Sequence, residues 1–407
     1  MKNLLQNYKT EKLGKLAKIK RNKELVTTLK GQEKPVLNSA HISLYGNRTR
    51  LNRELVGDKD RFFAQKGDLC INGVNPELAF VCSNDVWLIS RDYFTVELTD
   101  ESVITEFIQI LFISGVLQGQ IDELSTGKKK ILGVKGAQEL KIPLPPKETQ
   151  KKIVSKWNEE AEKEKAYIDN LTKLEELFKD VDKQITENEI EEVNFRWVDK
   201  SRLTSEYFSP EYYILAQKKE GDSIKLGEIA DVQGGLNLEK YNWSEDGVPV
   251  YGNGSLINGY FDGRPIGYLE GRPTDTGSCL NYEDLIVCVM GKDTIGRAGV
   301  YTEGNTGLIN QSLTKVTPRL KGSDTYFLAV LFNTESIRKQ LKAYSRGSQQ
   351  RYVGKDDLSG IELSLLDDEI QVYYREKYIE LTEKLRQMQE AIISPKVMAE
   401  RLLREFL

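Results

Sequence analysis

The chain of 407 residues has one histidine, His41, and four cysteines, Cys70, Cys82, Cys279 and Cys288, with no Cys-x-x-Cys pair. Tetrahedral zinc sites take four nitrogen or sulfur ligands at close spacing, so a structural zinc site is excluded. A His-Glu-x-x-His metalloprotease helix needs a second histidine and is excluded with it. Cys70 in Leu69-Cys70-Ile71 and Cys288 in Val287-Cys288-Val289 stand in apolar, strand-like runs and read as buried small hydrophobes. No run of 18 apolar residues offers a membrane span. The start, Met1-Lys2-Asn3-Leu4-Leu5-Gln6, lacks the apolar core of a signal peptide, which makes the cytoplasm the expected compartment.

Signatures of catalysis are missing too. Gly127-Lys128-Lys129 suggests a phosphate loop, but Asp122 occupies the place of the first glycine and Lys129 that of the Ser/Thr. Gly291-Lys292-Asp293 fails in the same way, with Ile286 at the glycine position. The Asn/Asp-Pro-Pro-aromatic loop by which adenine methyltransferases hold a flipped base has only Asn75-Pro76-Glu77 as its nearest fragment. The Pro-Asp dipeptide that opens a common metal-dependent nuclease signature does not occur. These absences predict a chain with no catalytic residues, no metal and no cofactor of its own. Gly252-Asn253-Gly254 reads as a hairpin turn, because Asn-Gly supplies the positive φ angles of a type I′ turn.

What the chain does have is an internal repeat with a step of about 215 residues. Leu13-Gly14-Lys15-Leu16-Ala17 returns as Leu226-Gly227-Glu228-Ile229-Ala230, and Lys34-Pro35-Val36-Leu37 as Val248-Pro249-Val250-Tyr251. Gly67-Asp68-Leu69-Cys70-Ile71 matches Glu283-Asp284-Leu285-Ile286-Val287. Ser125-Thr126-Gly127, followed by Ile142-Pro143-Leu144, matches Ser345-Arg346-Gly347 followed by Ile361-Glu362-Leu363. Four anchors in one order, with an offset that drifts upward as loop insertions would make it, indicate duplication.

Each copy runs into a long charged helix. Pro143, Pro145 and Pro146 close the first globular segment, and from Lys147 to about Ile185 there is no glycine or proline. Leu171, Leu174, Phe178, Val181 and Ile185 recur at a/d spacing, as do Tyr374, Tyr378, Leu381, Leu385, Met388 and Ile392 in the second copy. Two heptad-bearing helices are most simply partners, and their places in the repeat predict an antiparallel pair. Leu171, Leu174, Phe178 and Val181 would meet Leu381, Leu385 and Met388 along its seam. Ser394-Pro395 then starts a last short helix. The predicted fold is α+β: two duplicated domains separated by a long antiparallel two-helix coiled coil. The boundaries follow as domain one at 1–146, the first helix at 147–192, an aromatic connector at 193–222, domain two at 223–366 and the second helix at 367–407.

The net charge of −4 hides a segregation. Residues 1–70 hold 16 Lys/Arg against 7 Asp/Glu, whereas residues 147–192 hold 9 against 14. The acidic surplus sits on the helix, which leaves the first globular segment free to face phosphates. Both copies place a polar loop just ahead of the strand that leads to the helix. In the second copy it is Ser345-Arg346-Gly347-Ser348-Gln349-Gln350-Arg351-Tyr352, with arginines that can fork onto guanine and glutamines that can read adenine. Its counterpart carries Lys128, Lys129 and Lys130, suited to phosphates. Asn253, Arg297, Arg346, Gln349, Gln350, Arg351 and Tyr352 join these three lysines as candidate DNA-contacting residues.

The junction Ile142-Pro143-Leu144-Pro145-Pro146-Lys147-Glu148-Thr149-Gln150-Lys151-Lys152-Ile153 resembles that between target recognition domain and conserved helix in the specificity subunits of type I restriction-modification systems. Pro249-Val250-Tyr251-Gly252-Asn253-Gly254, Ile295-Gly296-Arg297-Ala298-Gly299-Val300, Gly347-Ser348-Gln349-Gln350 and the connector Arg202-Leu203-Thr204-Ser205-Glu206-Tyr207-Phe208 are similar to segments of the same family. The first copy departs from the pattern by lacking the Gly-Asn-Gly turn and the Gly-Arg-x-Gly pair, and the second has Leu365-Leu366-Asp367-Asp368 where Pro-Pro is usual. The resemblance implies a non-catalytic subunit whose two target recognition domains each read one half of a split site in double-stranded DNA. It implies two adenine-N6 modification subunits as partners, and through them restriction subunits, with S-adenosylmethionine, ATP and Mg belonging to those partners. The competing readings are a self-contained DNA methyltransferase or nuclease with an unrecognised active site, and a coiled-coil adaptor that binds only proteins.

Overall fold

A three-residue strand opens each copy and pairs with the strand that closes it. The computed structural model describes residues 8–20, 29–37, 45, 52–55, 62–82, 86–89, 93–127, 130–187, 223–271, 277–291, 293–319, 324–347 and 351–407. The first copy contains β1 (Thr10–Lys12), α1 (Leu13–Leu16), β2 (Ala17–Lys20), β3 (Glu33–Leu37), β4 (Asn52–Leu55), β5 (Phe62–Gln65), β6 (Leu69–Asn72), β7 (Phe80–Val81), β8 (Val86–Ile89), β9 (Tyr93–Leu98), α2 (Thr105–Ile113), α3 (Gln118–Leu124), α4 (Val134–Glu139) and β10 (Lys141–Pro143). Helix α5 (Lys147–Glu187) follows.

The second copy contains β11 (Ser223–Lys225), α6 (Leu226–Ile229), β12 (Ala230–Gly234), β13 (Trp243–Ser244), β14 (Val248–Tyr251), β15 (Leu256–Ile257), β16 (Tyr260–Phe261), β17 (Gly267–Leu269), β18 (Cys279–Leu280), β19 (Leu285–Cys288), β20 (Ala298–Val300), β21 (Gly307–Ile309), β22 (Leu313–Pro318), α7 (Thr325–Phe332), α8 (Glu335–Tyr344), α9 (Lys355–Ser359) and β23 (Glu362–Ser364). Helices α10 (Asp368–Ala391) and α11 (Pro395–Phe406) end the chain.

The duplication is a duplication of topology. Sheet β2-β9-β6-β7 of the first copy reappears as β12-β22-β19-β20, and β4-β3-β8-β5 reappears inside β13-β17-β14-β21-β18. A parallel strand pairing repeats as well: Val36 lies opposite Leu88 as Val250 lies opposite Leu308. The apolar runs explain the central strands, since β6 and β19 are buried along their whole lengths. Register corrects one anchor. Thr10 pairs with Pro143 and Ser223 with Ser364, so Ile142 corresponds to Leu363 and not to Ile361. The slip is of two residues, which leaves every side chain on the same face of the strand.

A second correction concerns the Asn-Gly turn. Residues Asn253–Ser255 form a 3₁₀ turn and Gly252 has a φ of −140°, so no type I′ turn lies at 252–254. The positive-φ pair is Asn258 (φ 45°) and Gly259 (φ 98°), between β15 and β16. The same Asn-Gly chemistry acts five residues later, where two strands flank it.

By contacts the chain divides into one unit of residues 1–169 with 387–407 and another of residues 170–386. The division falls within both long helices, between residues 169 and 170 in α5 and between 386 and 387 in α10. Helices of this kind have no core of their own, and each half joins the globular core beside it. In the first unit Ile153 and Trp157 of α5 and Met398, Ala399, Leu402 and Leu403 of α11 complete the cluster of Leu13, Leu69, Phe94, Phe107 and Leu111. In the second unit Tyr251, Phe261 and Tyr301 meet edge-on or tilted, with ring centroids 4.9–5.6 Å apart, in one cluster with Ile286 and Leu313. The last helix α11 is separate from α10, as Ser394-Pro395 predicted. The connector 193–222 and the helix end 188–192 lie outside the described residues.

Candidate nucleic-acid interface

The two polar loops are built alike. In the first copy Thr126 N donates to Ile131 O at 3.1 Å and Ile131 N returns to Thr126 O at 3.0 Å, closing the loop at its neck. In the second, Arg346 N donates to Tyr352 O and Tyr352 N donates to Arg346 O, the same reciprocal pair of hydrogen bonds, at 2.9 Å each. The residue after each neck is tethered to the residue after the central strand: Leu132 N donates to Gly73 O and Val353 N to Val289 O, both at 2.9 Å. Each loop is therefore held by backbone bonds at its base. Short helices α4 and α9 begin directly behind these necks.

The predicted contact residues divide between tip and scaffold. Lys130, at φ 45°, is exposed on the first loop. Arg351 is exposed on the second, and Tyr352 is 43% exposed. Arg346 stands at the neck with its guanidinium 3.2 Å from Asp357 of α9. Lys128, Lys129, Gln349 and Gln350 lie outside the described residues. Asn253 and Arg297 are not on either loop. Arg297 is half-buried between β19 and β20, beside the Cys288 thiol, which burial pushes up to about 12 against the opposing pull of Arg297 and Arg338. Asn253 turns inward, its amide donating to Met290 O at 2.9 Å and to Thr294 Oγ1 at 3.2 Å.

Residues 289–294 are the part that the loop motifs did not reveal. Gly291 N donates to Arg351 O at 3.0 Å, and Met290 bridges to Tyr352. The like order of apolar strand and polar loop in both copies, β6 before the first loop and β19 before the second, was the signal that could have found this anchor. Ile266, beside Gly252, is 47% exposed, and Trp243, which packs over Gly267, is 51% exposed. No periodicity in the sequence marks them.

The predicted helix seam is distributed over both units. In the second unit Leu171, Leu174, Phe178, Val181 and Leu385 are buried, whereas Leu381 is half-buried. Tyr374 and Tyr378 of α10 do the closing there: the Tyr374 hydroxyl donates to Asp180 at 2.8 Å, and the Phe178 and Tyr378 rings lie 6.3 Å apart. Position 180 meets 374 while 178 meets 378, so the helices run antiparallel. Met388, in the first unit, is half-buried. Leu177 is buried as well, because α5 packs on the globular part in addition to α10.

Two like domains, each presenting a neck-closed polar loop, define a duplicated nucleic-acid-reading fold. Residues 6–157 and 218–374 each match the family described as "Type I restriction modification DNA specificity domain", and the chain belongs to that family. Among solved structures, the type I restriction-modification S subunit from M. genitalium is 16% identical, covers 98% of this chain and 96% of its own, and superposes with a TM-score of 0.52, a likeness of fold. The HsdS subunit from Thermoanaerobacter tengcongensis is 15% identical over 98% of this chain and 95% of its own, at a TM-score of 0.34. A chain from a study of complex assembly and conformational transition in the type I R-M system is 15% identical over 98% and 97%, at a TM-score of 0.38. Curated proteins give no match.

Proposed function

We propose that the chain is the DNA-reading subunit of a type I restriction-modification assembly, each copy reading one half of a bipartite duplex site. The observation that supports this most is that both copies match the DNA specificity family while presenting equivalent loops of different chemistry. Equivalent scaffolds with different tips suit one protein that reads two unlike half-sites. The lysines of the first loop supply sequence-independent attraction to phosphates, and Arg351, with Gln349 and Gln350, supplies base-edge contacts in the second. The chain carries no chemistry of its own in this reading. It positions two adenine-N6 modification subunits, which bring S-adenosylmethionine, and through them restriction subunits that use ATP and Mg.

Incubation of the purified chain with DNA and labelled S-adenosylmethionine, with and without added modification subunits, tests the reading. Methyl transfer is expected only when those subunits are present; transfer by the chain alone would make it a methyltransferase. A gel shift separates the reading from a protein-only adaptor. Sequence-selective retardation of duplex DNA by the assembled complex is expected.

A further inference from the structure

Asn253 stands in a rigid frame. Ser255, fully buried, accepts from Gly252 N through Oγ at 3.3 Å and donates to Arg264 O at 2.7 Å, which fixes the 3₁₀ turn at the end of β14. From that turn the Asn253 amide reaches Met290 O and Thr294 Oγ1, while Thr294 Oγ1 itself donates to Met290 O at 2.6 Å. Three groups thus close a triangle around one carbonyl. Gly291, at φ +99°, sits against it so closely that an added Cβ would stand 2.4 Å from Thr294 Oγ1. The next bond outward is Gly291 N to Arg351 O, and the Met290–Tyr352 bridge lies beside it. The first copy has another device: Asn72, on its own central strand, accepts from Val74 N and Asn75 N through Oδ1 at 2.9 and 3.1 Å.

We infer that Asn253 is a positioning residue for base reading by the second copy: it ties the end of β14 to the 290–294 turn and thereby fixes where Arg351 and Tyr352 present their side chains. The inference rests on the 345–352 loop being a base-reading element. A bidentate arginine or glutamine contact needs two bonds in one plane, so a shift of the loop base loses discrimination without losing charge. Its Oδ1 is buried with no hydrogen-bond partner among the described residues, so Asn253→Ala removes an unpaired acceptor together with the tether. Stability therefore changes less than specificity. Asn253→Asp keeps the shape but cannot donate to Met290 O. Thr294→Val breaks the triangle from its other corner.

The test is selection from a randomised duplex library by the full chain assembled with its modification subunits. Asn253→Ala, Asn253→Asp and Thr294→Val run alongside Arg351→Ala. Each of the three scaffold variants is expected to lose about tenfold or more of base discrimination in one half-site. The other half-site and the salt dependence of binding should stay as in the parent, which a general loss of folding would not allow. The Asn253→Ala and Thr294→Val effects should not add, since both open one triangle. If Arg351→Ala flattens that half-site while the scaffold variants keep the parental preference, the inference is overturned and the reading role of the loop stands. If Arg351→Ala leaves both half-sites intact, the reading role fails and the inference with it.

Discussion

Asp68 and Asp284 occupy the same place in the two copies and live with different charges around them. Asp284 is buried with Lys315 at 3.6 Å, accepts from Thr317 Oγ1 at 2.9 Å and Asn281 N at 2.7 Å, and Lys315 also donates to Cys279 O at 2.8 Å. Asp68 accepts from Gln65 N at 3.0 Å but has Thr95 where the second copy has Lys315, and the nearby Lys20 is engaged by Glu97 at 2.8 Å. Burial accordingly raises the Asp68 carboxyl above the ordinary range. A carboxyl raised on folding contributes stability that is present below its unfolded pKa and lost as pH rises through its folded pKa. Asp68→Asn should therefore be at least as stable as the parent near neutral pH and lose that acid-side contribution, read from denaturant midpoints across the acidic range. Lys315→Met should cost about 3 kcal/mol, the lower end for breaking a buried pair, because the bonds from Thr317 and Asn281 remain. A cost under about 1 kcal/mol in urea unfolding would mean that Lys315 carries no net ion-pair stabilisation.

At the scale of elements, the hairpin β15–β16 shows how a turn and a helix fix each other. Gly259 lies against the Phe178 ring, where an added Cβ would stand 2.5 Å from it, and the Tyr378 hydroxyl donates to Gly259 O at 2.9 Å. Gly259→Ala meets both positive φ and this ring, and should destabilise the second unit by about 1–3 kcal/mol. Tyr378→Phe should cost only about 1 kcal/mol, since Asn333 Nδ2 still donates to Gly259 O at 3.4 Å. The helix pair offers a graded comparison. Leu385 is fully buried and Leu381 half-buried, so Leu385→Arg should cost several kcal/mol and Leu381→Arg clearly less, because an arginine can carry its charge to water from a partly exposed site. Equal losses in thermal melting would contradict that order. Gln150 and Gln371 repeat one more device, each folding its amide back to the carbonyl five residues earlier, Pro145 and Leu366, to begin a long helix.

Over the whole chain, sequence order and core membership part company. Helix α11 ends the chain yet supplies Met398, Ala399, Leu402 and Leu403 to the core that Leu13 and Phe107 begin, and the Tyr45 hydroxyl of the first copy donates to Ile393 O at 2.8 Å. Deleting residues 395–407 should lower the melting temperature of the unit containing residues 1–169 and leave that of residues 170–386 nearly unchanged. Hydrogen exchange read separately over α2 and α7 distinguishes the two. Loss of protection in α7 alone would contradict the assignment.

The repeat, the two long helices and the polar loops were legible in the sequence, because duplication preserves order and because heptad spacing and Pro-Pro-Lys are local signals. The Asn-Gly chemistry was legible too, but not its place, since 252–254 and 258–259 carry the same residues and only the flanking strands decide which one turns. Asn253 as an inward tether was beyond reach for the same kind of reason: Met290 and Thr294 lie about 40 residues away, and a hydrogen bond across that separation leaves no periodic trace. Nor could spacing show that the chain's last helix completes its first core. Local patterns record which face of an element is apolar; which core receives that face depends on the packing of the whole chain.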